Sequence, residues 1–248
     1  MPAGGPGSTD EGFADRLAAV EERIAAACRA AGRAREEVTL VAVTKTRSDE
    51  EVLAAARCGL RDLGENRVEE LEARREALCD ALPADVRWHM IGHVQSRKAA
   101  RAAAAAALVH SVDSVRLAER LDRAAQSLGR VLPVLLEMNV SGEESKDGFP
   151  AWDPASRQAL PATLAPLEGL EHLEVRGLMT MAPLGAAPER AREVFAALRT
   201  LGEALCGVLP WIRGRELSMG MTDDFEPAIA EGATMVRIGR ALFGPRTT

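Results

Sequence analysis

There is no tyrosine in this 248-residue chain, and aromatic residues make up only 3 % of it. A core must therefore be packed by alanine, leucine and valine, and no phenol is available as an acid or a base. Long apolar runs are missing too. None approaches the ~20 residues that cross a bilayer, so no membrane partner is expected. Cysteines are few and scattered. Cys28, Cys58, Cys79 and Cys206 form no C-x-x-C pair and read as buried free thiols in a reducing cytosol. No basic stripe exists either: 31 Lys and Arg against 37 Asp and Glu are spread along the chain, with a formal net charge of −6, which argues against nucleic acid. His89 and His93 are four apart, but a strand-to-loop segment puts them on no common helical face. No neighbouring Cys or acid completes a ligand set, so no metal is expected. The opening MPAGGPGSTDEGF has no charged n-region and no apolar h-region. Residues 1–10 read as a disordered tail rather than a signal peptide, and residues 11–248 as a single cytoplasmic domain.

What is present is an alternation. Residues 13–31 carry apolar residues at helical spacing and stop at Gly32. Strand-like runs then follow at 38–44, 60–64, 86–91, 107–112, 131–139, 174–180, 215–219 and 234–238, with 60–64 the least strand-like. Helix-like runs lie between them at 49–58, 66–79, 95–106, 114–128, 151–167, 188–207 and 224–231, and a short last one starts near Arg240. Parallel strands need such crossovers, and strands buried on both faces read as continuous apolar runs. The pattern fits an α/β fold, a (β/α)8 TIM barrel with an extra N-terminal helix; the structural alternative is a doubly wound open sheet.

Barrel enzymes and binders work at the C-terminal ends of their strands. Taken in order, those ends offer Lys45, Asn66, WHMIGH, Asp113, Asn139, Thr180, Ser218 and then Arg237 with Gly239. Most of these have a plain alternative in turn chemistry: Ser48, Asp113 and Asp223 suit helix N-caps, and Asn66 suits the start of its helix. Lys45 and Arg237 differ. They lie within apolar strands, where a charge is costly unless paired or used. Gly239 sits at a strand end before a short helix, where backbone N–H groups can meet a phosphate, and Ser218 near Gly220 adds a hydroxyl. An amine on strand one opposite a phosphate cradle on strand eight suggests a phosphorylated carbonyl compound held as a Schiff base. The residues do not separate pyridoxal phosphate from a sugar-phosphate aldehyde, so a Schiff-base aldolase stays open on these grounds.

Seven motifs, VAVTKT, LGENRVEEL, WHMIGHVQSRK, VHSVDS, MNVSGEESKDG, GLMTM and LSMGMTDDFEPAIAEGATMVRIGRALFG, together resemble the pyridoxal phosphate homeostasis protein family, collinearly over about residues 38–246. The resemblance implies a fold-type III pyridoxal 5'-phosphate (PLP) barrel, similar to the N-terminal domain of alanine racemase. It implies that Lys45 carries PLP, and that Asn66 and the segment with His89 and Ile91 line the cofactor. Ser218, with the backbone of Gly239 and Arg240, would hold the phosphate, and Arg237 would face the pyridine nitrogen. An arginine there keeps that nitrogen unprotonated and makes the ring a poorer electron sink. Two departures stand out: Thr44 replaces a common serine, and Arg240 replaces a small polar residue. Racemases of this fold type also use a tyrosine from a C-terminal β-domain, whereas this sequence has no tyrosine and ends about where a barrel would close. The expected function is PLP homeostasis, by buffering or delivering the cofactor, with no catalytic residue. The expected partners are PLP and PLP-dependent apoenzymes, with the chain a monomer. A PLP-dependent amino-acid racemase is the alternative, ahead of the aldolase.

Overall fold

The computed structural model describes residues 6–143, 146–212 and 215–245, the first four of them by backbone alone. Eight strands form a closed ring: β1 Thr39–Val43, β2 Asp62–Glu65, β3 Arg87–Met90, β4 Leu108–Val112, β5 Leu132–Asn139, β6 Leu173–Met179, β7 Glu216–Ser218 and β8 Met235–Ile238. Every pairing is parallel. β1 lies between β2 and β8, with Ala42 opposite Leu63 on one side and Leu40 opposite Val236 on the other. Val109 opposite Val134 joins β4 to β5 and closes the ring, which removes the open-sheet alternative. A two-residue strand, Phe149–Pro150, runs beside the end of β5. The run expected at 60–64 is the strand Asp62–Glu65, so the weakest pattern also held.

The helices are α1 Pro6–Ala30, α2 Asp49–Arg57, α3 Val68–Ala77, α4 Ala99–Ala105, α5 Val115–Ser127, α6 Pro154–Leu164, α7 Pro188–Val208, α8 Phe225–Ala230 and α9 Arg240–Phe243. α1 begins inside the stretch expected to be a tail, whose residues 1–5 lie outside the described residues. It covers the end of the barrel chain: the Phe13 and Phe243 rings lie 5.1 Å apart, and Arg16 Nε donates to Leu242 O at 2.6 Å. The helix expected over 95–106 opens with a 3-10 turn, Ser96–Lys98. That over 151–167 starts at Pro154, capped by Asp153, and gives way to a 3-10 turn at Ala165–Gly169, where Pro166 supplies no N–H. Among the described residues, no helix is long and apolar enough to cross a membrane.

Strand alternation divides the core in two. One set, including Leu40, Ala42, Leu63, Val109, Leu136, Leu178, Val236 and Ile238, packs outward against the helices. The other, Leu108, Leu135, Met179 and Met235, fills the barrel interior. On the same inward face lie Asp62, His89, His110, Glu137, Ser218 and Arg237, all buried. Branched apolar side chains usually dominate a barrel interior. Here much of it is polar, and each such group needs a partner to offset its desolvation.

Candidate functional site at the barrel mouth

A lysine at the end of a buried strand needs a loop that holds it. β1 ends at Val43, and α2 starts after Ser48, whose hydroxyl accepts from the Glu51 N–H at 3.3 Å while the Glu51 carboxylate accepts from the Ser48 N–H at 2.8 Å. Between them Thr46 takes φ +63°, the one positive φ of a non-glycine among the described residues. Such strain costs on the order of 1–3 kcal/mol and persists only when the surroundings enforce it. Two arginines do so. Arg74 donates to Thr44 O at 2.9 Å and to Arg47 O at 2.6 Å. Arg47 donates to Gly244 O at 2.6 Å and Phe243 O at 3.2 Å, which ties the lysine loop to the end of α9. Arg74 is itself anchored on Glu65 Oε1 at 2.9 Å, and the Thr44 hydroxyl donates to the same oxygen at 2.7 Å. The departure at Thr44 thus keeps a working hydroxyl. Burial pushes the Glu65 carboxyl up, with Thr44 and Arg74 opposing.

Lys45 lines a cavity of about 480 Å³, together with Val43, Thr222, Arg237, Gly239 and Arg240. The volume lies in the range of small-ligand sites, ~300–1,000 Å³. Gly239 brings β8 close to β1: a Cβ there would lie 3.3 Å from Val43 Cβ and 3.4 Å from Val43 O. The Thr222 hydroxyl accepts from the Ala241 N–H at 3.4 Å, which sets it beside the first turn of α9, where N–H groups lack intrahelical acceptors. The exposed Arg240 side chain pairs with Asp223, and both residues line the cavity.

Four of the eight expected site residues, Lys45, Arg237, Gly239 and Arg240, therefore share one cavity. Asn66 and Ile91 stand at the ends of β2 and β3 and are not on its lining. The two loops press together, since a Cβ at Gly92 would lie 2.3 Å from Asn66 O. His89 and Ser218 lie below the mouth. Ser218, expected at a phosphate, is fully buried with its hydroxyl engaged by His110 and Arg237; Thr222, four residues on, takes the place at the cavity. β7 stops at Ser218, and only the loop after it climbs to the rim.

Two expected caps also move. Ser114 caps α5, accepting from Leu117 N–H at 3.3 Å, and Asp224 precedes α8. Asp113 instead pairs with His93 Nδ1 at 2.9 Å, and Asp147 approaches the same nitrogen at 3.3 Å. The sequence offered His93 no acidic neighbour; the fold supplies two. His93, Asp113 and Asp147 are the described residues whose ligand-type atoms converge, within 4.8 Å. His93 Nδ1, within reach of both carboxylates, is the contact that brings the three together.

Below the cavity, hydrogen bonds link the interior polar residues. Arg237 Nη1 donates to Ser218 Oγ at 2.5 Å and Nη2 to Thr180 O at 3.0 Å. Ser218 Oγ lies 2.8 Å from His110 Nδ1, His110 Nε2 lies 2.8 Å from His89 Nδ1, and His89 Nε2 lies 2.8 Å from Asp62 Oδ1. Arg87 closes the row at the lower face with donations of 2.7 and 2.6 Å to the Asp62 carboxylate. Burial holds the His110 imidazole well below its ordinary value, and the charge of Arg237 adds to the effect. Burial opposes ionisation of Asp62, but the hydrogen bonds from His89 and Arg87 outweigh it and hold its carboxyl low. Arg237 is brought down to about 10 by burial, against the charges of Glu137 and Asp224. Glu137 is pushed up to about 7 by burial and by Asp113 and Asp147. His110 and Glu137 were missed in the sequence, although each is a polar residue inside an apolar strand, the signal that exposed Arg237; Lys45, expected inside β1, lies two residues beyond it.

A family model described as "Alanine racemase, N-terminal domain" matches residues 16–247. A pyridoxal phosphate homeostasis protein of Pseudomonas aeruginosa is 42 % identical over 235 residues, covering 94 % of this chain and 96 % of that protein. One from Synechocystis sp. is 39 % identical over 209 residues, covering 84 % and 92 %. Among solved structures, PipY of Synechococcus elongatus with PLP bound is 39 % identical, with a TM-score of 0.78 over 94 % of this chain and all of that one, 100 %. Alanine racemase of Clostridium difficile shares the fold alone: at 16 % identity it superposes with a TM-score of 0.67 over 94 % of this chain and 58 % of its own. Coverage and identity of this order, on a closed barrel with the lysine at its mouth, mean that the chain belongs to the pyridoxal phosphate homeostasis protein family.

Proposed function

We propose that this protein binds pyridoxal 5'-phosphate at the barrel mouth through Lys45 and acts in PLP homeostasis, holding or delivering the cofactor. One observation carries the reading: an amine, a buried guanidinium, a hydroxyl and the start of a helix line a single cavity of small-ligand size. These groups fit a phosphorylated aldehyde with a pyridine ring. PLP supplies an aldehyde that an amine can hold covalently and a ring that can act as an electron sink. The residues do the rest. Lys45, fixed by the strained turn at Thr46 and the Arg74 and Arg47 clamps, presents its amine. Thr222 and the backbone at Gly239 and Arg240 offer donors to the phosphate. Arg237, donating from below, meets the pyridine nitrogen.

An arginine at that nitrogen and a sequence with no tyrosine favour a carrier over a two-base racemase. The relatives carry the homeostasis label, and the thiols of Cys28, Cys58 and Cys79 suit a reducing, cytoplasmic compartment, although only Cys28 is buried and Cys79 is exposed, against the expected burial. PLP-dependent apoenzymes are the recipients we infer, with the chain acting as a monomer. The test is reconstitution of the full chain with PLP, borohydride reduction and peptide mapping. The expected label is on Lys45. A protein that retains no PLP, or labels elsewhere, overturns the assignment, and selective fixation of a sugar-phosphate aldehyde supports the aldolase. Exchange of the α-proton of alanine in D2O should fall far below the ~1–1,000 per second of ordinary enzymes.

A further inference from the structure

Arg237 is a buried cation with no ion pair among the described residues; its two mapped side-chain bonds go to a hydroxyl and a carbonyl. The charges of Glu137 and Asp224 favour its ionised form, but neither carboxylate reaches it as an ion pair. The row of side chains behind Ser218 has the required polarity. A guanidinium has only protons to give, and a carboxylate only lone pairs to offer. With Arg237 at one end and Asp62 at the other, every proton between them has one direction that satisfies every group. Ser218 accepts from Arg237 and gives its own hydroxyl proton to His110 Nδ1. His110 then carries its proton on Nε2 and gives it to His89 Nδ1. His89 also carries its proton on Nε2 and gives it to Asp62. The reverse order would need protons on both nitrogens of His89 and would leave the Ser218 hydroxyl proton without its acceptor in the row. Aligned hydrogen bonds polarise one another, and each places its negative end toward Arg237.

We propose that Asp62, His89, His110 and Ser218 form a one-way hydrogen-bond row that passes through the barrel from its lower face to its mouth and holds Arg237 in place as a charged donor to the cofactor ring. The four are positioning residues: none lines the cavity, and they act through Arg237. The row extends the PLP assignment above and rests on it for its consequence at the cofactor, but not for its geometry. Asp62 is the anchor, kept anionic by Arg87, whose side chain is 60 % exposed at the lower face. Two imidazoles bridge the interior, and Ser218 hands the polarity to the guanidinium. This also explains why a serine in an apolar strand is fully buried and does not reach the cavity.

The test has two parts. Long-range proton–nitrogen NMR on the full chain, labelled at histidine and free of cofactor, reads the tautomers of His89 and His110. Both should be neutral with the proton on Nε2. A proton on Nδ1 of either ring overturns the row, whatever the fate of any variant. The second part uses Ser218→Ala and His110→Phe, which cut the row, and Ser218→Thr, which keeps the hydroxyl. The cut variants should still fix PLP on Lys45 with borohydride. Their visible absorption band should shift, and PLP should dissociate about tenfold faster, the effect of losing one hydrogen bond to a charged group. Ser218→Thr should restore the wild-type band. Folded cut variants with the wild-type band and retention overturn the proposal. Failure of the wild type to fix PLP on Lys45 would instead remove the PLP assignment and leave the tautomer result to decide the row.

Discussion

The two walls of the barrel mouth are built on opposite principles. On the β8–β1 side the charged groups lining the cavity are Lys45, Arg47, Arg237 and Arg240 with the carboxylate of Asp223, and the backbone there is tied down by arginine-to-carbonyl bonds, Arg74 to Thr44 O and Arg47 O, and Arg47 to Gly244 O. On the β4–β5 side they include Asp113, Asp147 and Glu137; a half-exposed His93 meets the two aspartates, while Asn139 and Lys146 donate to the backbone at Glu143 O and Met181 O. Strands of similar apolar composition thus end in a mostly cationic wall and an acidic wall whose Glu137 is pushed up to about 7 by burial. The PLP site proposed above lies on the first. The second carries Glu137, whose carboxyl burial pushes up to about 7.

The sharpest way to break the comparison is Lys45→Ala, which should abolish borohydride-fixed PLP completely, checked by mass spectrometry of the reduced protein. Next is the clamp. Arg74→Ala strips Glu65 of its cation and frees the strained Thr46 turn, and should cost about 3–5 kcal/mol in urea unfolding, as loss of one partner of a buried pair does. On the acidic wall, Glu137 stands near 7 in the folded chain against an ordinary value of 4.5. A carboxyl raised on folding stabilises fully below its unfolded value, and that contribution is lost as pH rises through the folded one. Stability should therefore fall by about 3 kcal/mol between pH 4.5 and 7. Glu137→Gln should remove that slope and be the more stable protein above pH 7, as read by denaturant titration across the range. Gly239→Val forces a side chain against Val43, and should cost about 1–3 kcal/mol of stability and weaken PLP retention about tenfold in a dialysis assay. Arg240→Ala is the smallest: an exposed pair with Asp223 is worth about 0–1 kcal/mol, and retention should hardly change. If Arg240→Ala loses PLP as Gly239→Val does, its side chain, not its backbone, serves the phosphate.

The barrel was legible because each strand is a continuous apolar run separated by a helical run, and two-sided burial leaves that trace. Arg237 was legible for the matching reason, a charge where burial demands none; Lys45, expected inside the strand, is half-buried two residues past the end of β1 and was legible by its place at a strand end. Thr222 was not. Ser218 and Thr222 both follow the seventh strand in a loop with glycine beside them, and which one reaches the cavity depends on where β7 stops, a three-residue strand whose length no pattern sets. The acids beside His93 were invisible for another reason: Asp113 and Asp147 come from different loops and meet it only when the ring closes.

The sequence by itself determined the alternation of strands and helices, the lysine at the end of β1, the glycine at the end of β8 and the absence of a phenol for two-base chemistry. These follow from local burial, backbone freedom and composition, which adjacent residues encode. Tertiary structure alone decided that Asp62, His89, His110, Ser218 and Arg237 make one row, and that Thr222 rather than Ser218 faces the cavity. Inward-facing residues on five different strands become neighbours only after the barrel closes, and the direction of their hydrogen bonds is set by the charges at the two ends of the row.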